Sequence, residues 1–135
     1  MSLNALIAYY EGLTEESVVR LPAFYAEDAT FTDPFNDVRG VRAIQRIFRH
    51  MFRQVETPRF VVLEKVADAD GAVLVWAFHF RFRRSGPPQV IQGVSHLKFD
   101  DDGRVNFHRD YWDAAGELYS KLPGIKLLMT LLRRK

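Results

Sequence analysis

The 135-residue sequence has no cysteine. That excludes a disulfide scaffold, thiolate zinc sites, iron–sulfur clusters and cysteine nucleophiles, so any chemistry has to come from oxygen and imidazole groups. No apolar run approaches the roughly 20 residues needed to span a bilayer. Met1-Ser2-Leu3-Asn4 lacks the basic segment and long apolar stretch of a secretory leader, and a cytoplasmic protein is expected. Neither sign of charge dominates: 19 Lys+Arg against 17 Asp+Glu leave +2, and the pI near 9.0 owes much to Arg133-Arg134-Lys135. Such a balance does not make a nucleic-acid binder, and the stripe Arg42, Arg46, Arg49 and Arg53 reads as a solvated helix face. There is no Gly-rich phosphate loop and no Gly-x-Ser-x-Gly turn. The four histidines occur without His-x-His or Glu-x-x-His spacing, and Asp100-Asp101-Asp102-Gly103 reads as a turn rather than a calcium loop. Neither a metal nor a cofactor is expected.

What is present is apolar and aromatic: 47% hydrophobic residues and 13% aromatic ones. At this length they suit one compact domain, residues 1–135, with a core and a small internal pocket. Leu3, Leu6, Ile7, Tyr10 and Leu13 recur at helical spacing, and Thr14 looks like the N-cap of a second helix that Pro22 kinks. Ala29 to Asp33 alternates as a strand and stops at Pro34, after which Pro34 through Gly40 reads as a loop. Val41 to Val55 carries the clearest helical stripe: Ile44, Ile47, Phe48, Met51, Phe52 and Val55. Four strand-like runs follow, Arg59–Ala67, Ala72–Arg84, Gln89–Phe99 and Arg104–Asp113, separated by hairpin chemistry. Ala114 to Leu122 returns to helical composition, Pro123-Gly124 breaks it, and Ile125 to Leu132 reads as a short apolar helix with a basic end in the extension Ala114–Lys135. Helices first and an antiparallel ladder last describe an α+β domain with helices on one face of the sheet.

Two constellations could carry chemistry. Asp33 ends a strand where Pro34 forces extended backbone, beside Phe31 and Phe35. Facing an apolar cavity it would gain basicity by desolvation; otherwise it opens the turn and accepts backbone amides, which spacing alone favours. In the last strand, Asn106, His108, Asp110 and Trp112 share one face. His108 and Asp110 then stand roughly 7 Å apart by strand rise, close enough to share proton transfer through a substrate or water. If that face points outward, both are merely solvated. The basic C-terminal segment from Ile125 could rest on a membrane, although packing on its own domain or on a dimer partner is the favoured reading.

Three segments together resemble the nuclear transport factor 2-like superfamily, the SnoaL-like cone fold that includes ketosteroid isomerases, limonene-epoxide hydrolases and polyketide cyclases. They are Phe24-Tyr25-Ala26-Glu27-Asp28-Ala29-Thr30-Phe31-Thr32-Asp33-Pro34, then Gly40-Val41-Arg42-Ala43-Ile44, and Gly103 through Arg109-Asp110-Tyr111-Trp112-Asp113. The resemblance implies a curved antiparallel sheet wrapped around N-terminal helices, with Trp76, Phe78, Ser95, Leu97, His108, Asp110 and Trp112 facing a conical pocket and Tyr9, Tyr25, Ile44 and Phe48 on its helical walls. Asp33 falls where ketosteroid isomerases keep their carboxylate base, and Tyr9, 24 residues earlier, falls at their oxyanion-donating tyrosine. Ser95 replaces their second donor, an aspartic acid. Arg109-Asp110-Tyr111 is similar to the epoxide hydrolases, whose partner Arg and Asp fall at Gly93 and Ser95, and Asp110 is the nearest match to the cyclases' late acid–base aspartate. The resemblance implies a pocket for a small apolar or aromatic, oxygen-bearing ligand, possible cofactor-free isomerisation, cyclisation or hydration, and a homodimer. The competing expectation is a non-catalytic ligand-binding or dimerisation module.

Overall fold

The computed structural model describes residues 2–119. Helix α1 (Leu3–Glu11) is capped by Ser2, whose hydroxyl accepts from the Ala5 amide at 3.1 Å. Thr14 does cap the next segment, reciprocally: the Ser17 amide donates to Thr14 Oγ1 at 3.0 Å and the Thr14 amide to Ser17 Oγ at 2.8 Å. That segment, Glu16–Ala23, winds as a 3₁₀ helix with Pro22 inside it. Strand β1 (Tyr25–Thr32) begins four residues before the Ala29 expected from alternation, and Asp37–Arg39, read as loop, forms the short strand β2. Helix α2 (Val41–Gln54) buries Val41, Ile44 and Ile47 and leaves Arg42, Arg46 and Arg53 in solvent, while Arg49 of the same stripe is half-buried.

The second half is the antiparallel ladder β3 (Glu56–Ala67), β4 (Ala72–Arg81), β5 (Gln89–Phe99) and β6 (Val105–Tyr111). A last helix, α3, covers Ala114–Tyr119; the predicted Ile125–Leu132 helix lies outside the described residues. The six strands form one sheet in the order β2-β1-β6-β5-β4-β3. All neighbouring pairs run antiparallel except β1 and β6, which are parallel and pair Phe31 with His108. This single parallel pairing brings the N-terminal half of the chain against the last strand.

Register decides which side chains meet inside. Leu74 pairs with Ser95, Trp76 with Gly93 and Phe78 with Ile91 across β4–β5, while Ser95 pairs with Asp110 and Leu97 with His108 across β5–β6. All face the helices. Leu74, Trp76, Phe78, Phe80, Ile91 and Leu97 are buried there with Leu6, Val18, Leu21 and Ile44. Gly93 is required at its position, because a Cβ there would strike the Trp76 indole. Among the described residues no helix is long and apolar enough to cross a membrane.

Candidate acid–base site in an aromatic cone

A cavity of about 110 Å³ opens between α2 and the concave face of the sheet, and most of its wall is aromatic: Phe31, Phe35, Phe48, Phe60, Trp76, Phe78, Phe80, Phe82 and Trp112. Its polar wall residues are Asp33, His50 and Asp110. Deeper in, a lobe of about 50 Å³ shares Phe48, Phe60, Trp76 and Asp110 with it and adds Tyr10, Ser95 and His108. Asp33, Asp110 and Trp112 also line an adjoining surface pocket, with Pro34, Arg109, Tyr111 and Asp113. An engineered apolar cavity of about 150 Å³ accepts benzene, so the volume suits a single ring.

One hydrogen-bonded string crosses the inner lobe. The hydroxyls of Tyr10 and Tyr25 are 2.6 Å apart, and Tyr25 lies 2.6 Å from His108 Nδ1. His108 Nε2 is 2.7 Å from Asp110 Oδ1, which also accepts from the Ser95 hydroxyl. Ser95 Oγ in turn accepts from the Trp76 indole N–H at 2.9 Å. The donor capacities orient the string. An ionised carboxylate only accepts and an indole N–H only donates, so Nε2 carries a proton toward Asp110, and Ser95 passes on the donation it receives from Trp76. With His108 neutral, its bare Nδ1 accepts from Tyr25, and Tyr25 accepts from Tyr10. Burial drives both phenols far above the ordinary tyrosine range, so both keep their protons. Two arms of donors thus converge on one oxygen of Asp110, while no hydrogen bond among the described residues falls on the other.

Asp33 is held differently. Its Oδ1 accepts from the amides of Phe35 at 2.8 Å and Asn36 at 2.7 Å, and the Asn36 side chain reaches both carboxylate oxygens. The turn role and the cavity position, posed as alternatives from the sequence, therefore coexist. Burial raises the Asp33 carboxyl above its usual 3.8, against the opposing effect of the Phe35 and Asn36 hydrogen bonds, and the neighbouring Asp110 charge pushes the same way as burial.

The expected site residues divide accordingly. Tyr25, Ser95, His108 and Asp110 meet in the string; Asp33, Phe48, Trp76, Phe78 and Trp112 line the cavity. Leu97 is fully buried in the core and lines neither lobe. Tyr9 is not brought to the group. Its ring stacks on Phe24 and its hydroxyl donates to the Ser17 carbonyl at 2.9 Å, with burial pushing the phenol up to about 12. The tyrosine of α1 that enters the site is Tyr10, which the apolar spacing Leu6, Ile7, Tyr10, Leu13 already placed on the inner face. His50 was overlooked because it falls at the border of the apolar and basic stripes of α2. Among the described residues no three His, Asp or Glu side chains are grouped to hold a metal.

Comparison with known proteins agrees with this architecture. No curated protein matches the chain. Among solved structures, a protein with a ketosteroid isomerase-like fold from Catenulispora acidiphila, in complex with trimethylamine, superposes at TM-score 0.74 with 16% identity, covering 90% of this chain and 92% of its own. A Shewanella putrefaciens protein named "putative SnoaL-like polyketide cyclase" gives 0.69 and 23% over 90% and 88%. TerC, co-crystallised with polyporic acid, gives 0.72 and 16% over 84% and 92%. These likenesses establish the fold. The family model of the SnoaL-like domain matches residues 6–108, and the chain belongs to that family.

Proposed function

We propose that the chain binds a small apolar or aromatic, oxygen-bearing molecule in the cone and moves a proton on it without a cofactor, with Asp110 as the acid–base group and His108 as its auxiliary. The observation that carries this reading is the convergence of His108 and Ser95 on Oδ1 of a carboxylate that also lines the aromatic cavity. Fixed by two donors, the carboxylate is oriented before a ligand arrives, which is what a general base in a water-poor site requires. It would take a proton from carbon or oxygen and return it elsewhere on the same molecule, which is the common step of isomerisation and cyclisation. In a hydration the proton would come from water. Asp33 stands on the same wall as a second carboxylate, and its charge disfavours an anionic ligand. Tyr9 has no part in this reading, since its hydroxyl is committed to Ser17. Neighbours of the fold that bind trimethylamine and polyporic acid support a small-molecule occupant.

The experiment is the base-promoted ring opening of 5-nitrobenzisoxazole, which needs one base and no other group and is followed by absorbance of its phenolate product. The expected result is a rate above buffer that falls by about 10²–10³-fold in Asp110→Asn. Equal rates in the two proteins would overturn the assignment. The alternative is a carrier, favoured by the commitment of Asp33 to turn amides. It predicts a molecule extracted unchanged from the purified protein and no rate enhancement.

A homodimer is part of the proposal. The sheet face turned away from the cavity exposes Leu63 at 51%, Val66 at 68% and Tyr111 at 50%, an apolar surface that a second copy would cover. A monomer mass by light scattering at micromolar concentration would contradict it.

A further inference from the structure

His50 has no role in the string around Asp110, yet it lines the aromatic cavity on the α2 side. Its Nε2 is withdrawn from solvent and has no hydrogen-bond partner among the described residues. Unpartnered buried polar atoms are rare because they forgo the bonds water would supply. A ligand in the cavity is one group that would complete this one. A leucine or phenylalanine would continue the wall that Ile47, Met51 and Phe82 already form, so packing gives no reason for an imidazole here.

We infer that His50 is a ligand-contact residue and that the cone selects a neutral ring bearing a hydroxyl, which hydrogen-bonds to Nε2. This rests on the reading of the cone as a binding cavity and deepens it by naming the ligand class. The hydroxyl follows from the chemistry of a neutral imidazole: Nε2 is a donor in one tautomer and an acceptor in the other, and of the common oxygen groups a hydroxyl satisfies both. An anionic ligand is excluded by the wall, which carries two carboxylates, Asp33 and Asp110, and no lysine or arginine; a neutral ring is the choice that matches its aromatic remainder. A single ring follows from the cavity of about 110 Å³.

The test uses 4-methylphenol and toluene, two one-ring probes of one shape that differ by the hydroxyl. Their dissociation constants are measured by calorimetry on the wild type, His50→Leu and His50→Gln. The expected result is that the wild type prefers 4-methylphenol by about fivefold, the worth of one neutral hydrogen bond. His50→Leu should lose that preference by weakening 4-methylphenol while toluene stays within twofold, and His50→Gln should keep part of it. The ligand-free proteins supply a second readout: His50→Leu should melt at the same temperature as the wild type or higher, since it removes an unpartnered polar atom. An unchanged preference in His50→Leu, or a lower melting temperature in both variants, would overturn the role given to His50 and leave the cavity reading standing. Failure of either probe to bind the wild type would instead overturn the cavity reading, and this inference with it.

Discussion

Two carboxylates face the same cavity and are held by opposite means. Asp33 spends its oxygens on the amides of its own turn and on the Asn36 side chain, donors fixed by the backbone or by local geometry. Asp110 is held at one oxygen by an imidazole and a hydroxyl, whose protons can change owner, and its other oxygen takes no donor among the described residues. A backbone amide cannot give up its proton at neutral pH, so the Asp33 environment stabilises a shape. The Asp110 environment can follow a reaction. Position in a pocket is therefore not enough to identify a base: the mobility of the hydrogens around it discriminates.

The comparison can be broken in order of effect. Asp110→Asn removes the base and should lower ring opening of 5-nitrobenzisoxazole by at least 10²-fold on the order expected for general base catalysis, whereas Asp33→Asn, which keeps an acceptor for the turn, should lower it far less. Equal losses would erase the distinction. Gly93→Ala drives a methyl into the Trp76 indole. It should cost about 1–3 kcal/mol in urea unfolding, as overpacked cores do, and should release the Trp76–Ser95 bond, visible as a shifted indole N–H resonance. Asp33→Ala removes the acceptor for the Phe35 and Asn36 amides and should cost about 1–3 kcal/mol with the Asp110 arm intact. Stability within error of the wild type would show that the turn does not need it. Tyr25→Phe should cost about 1 kcal/mol and redistribute the His108 tautomers, read from its ring nitrogen shifts; unchanged shifts would mean Tyr25 does not orient the imidazole.

The smallest effect concerns pH. Burial raises the Asp33 carboxyl above 3.8, so the folded state favours the protonated form. The stabilisation from this proton is complete below about pH 3.8 and disappears as pH rises through the raised folded value. Relative to Asp33→Asn, the wild type should therefore lose stability across that window, measured as a difference of urea midpoints. A constant difference would refute the raised value.

Much of this was readable from residues in line. The apolar stripe of α2, the alternation Leu74, Trp76, Phe78, Phe80, and the shared face of His108 and Asp110 are local periodicities, and local periodicity survives folding. The capping pair at Thr14 was legible for the same reason. Register was not: nothing in the sequence places the Trp76 indole over Gly93 or Ser95 against Asp110, because cross-strand partners depend on hairpin geometry. The parallel β1–β6 contact is equally silent locally, and so is the early start of β1 at Tyr25, which that contact stabilises. Tyr9 and Tyr10 show a different lesson. The resemblance pointed to Tyr9, while Tyr10 stood only as a member of the apolar stripe of α1, and it is the Tyr10 side chain that reaches the string.

The bond between Tyr25 and His108 joins residues 83 positions apart. The parallel β1–β6 pairing spans a far longer stretch of chain than the hairpins β3–β4, β4–β5 and β5–β6. Non-local pairing of this kind repays its loop-closure entropy late and slows folding. The string that orients Asp110 is thus completed only when the chain has closed on itself, and a partly assembled sheet would expose a carboxylate with no imidazole aligned by Tyr25.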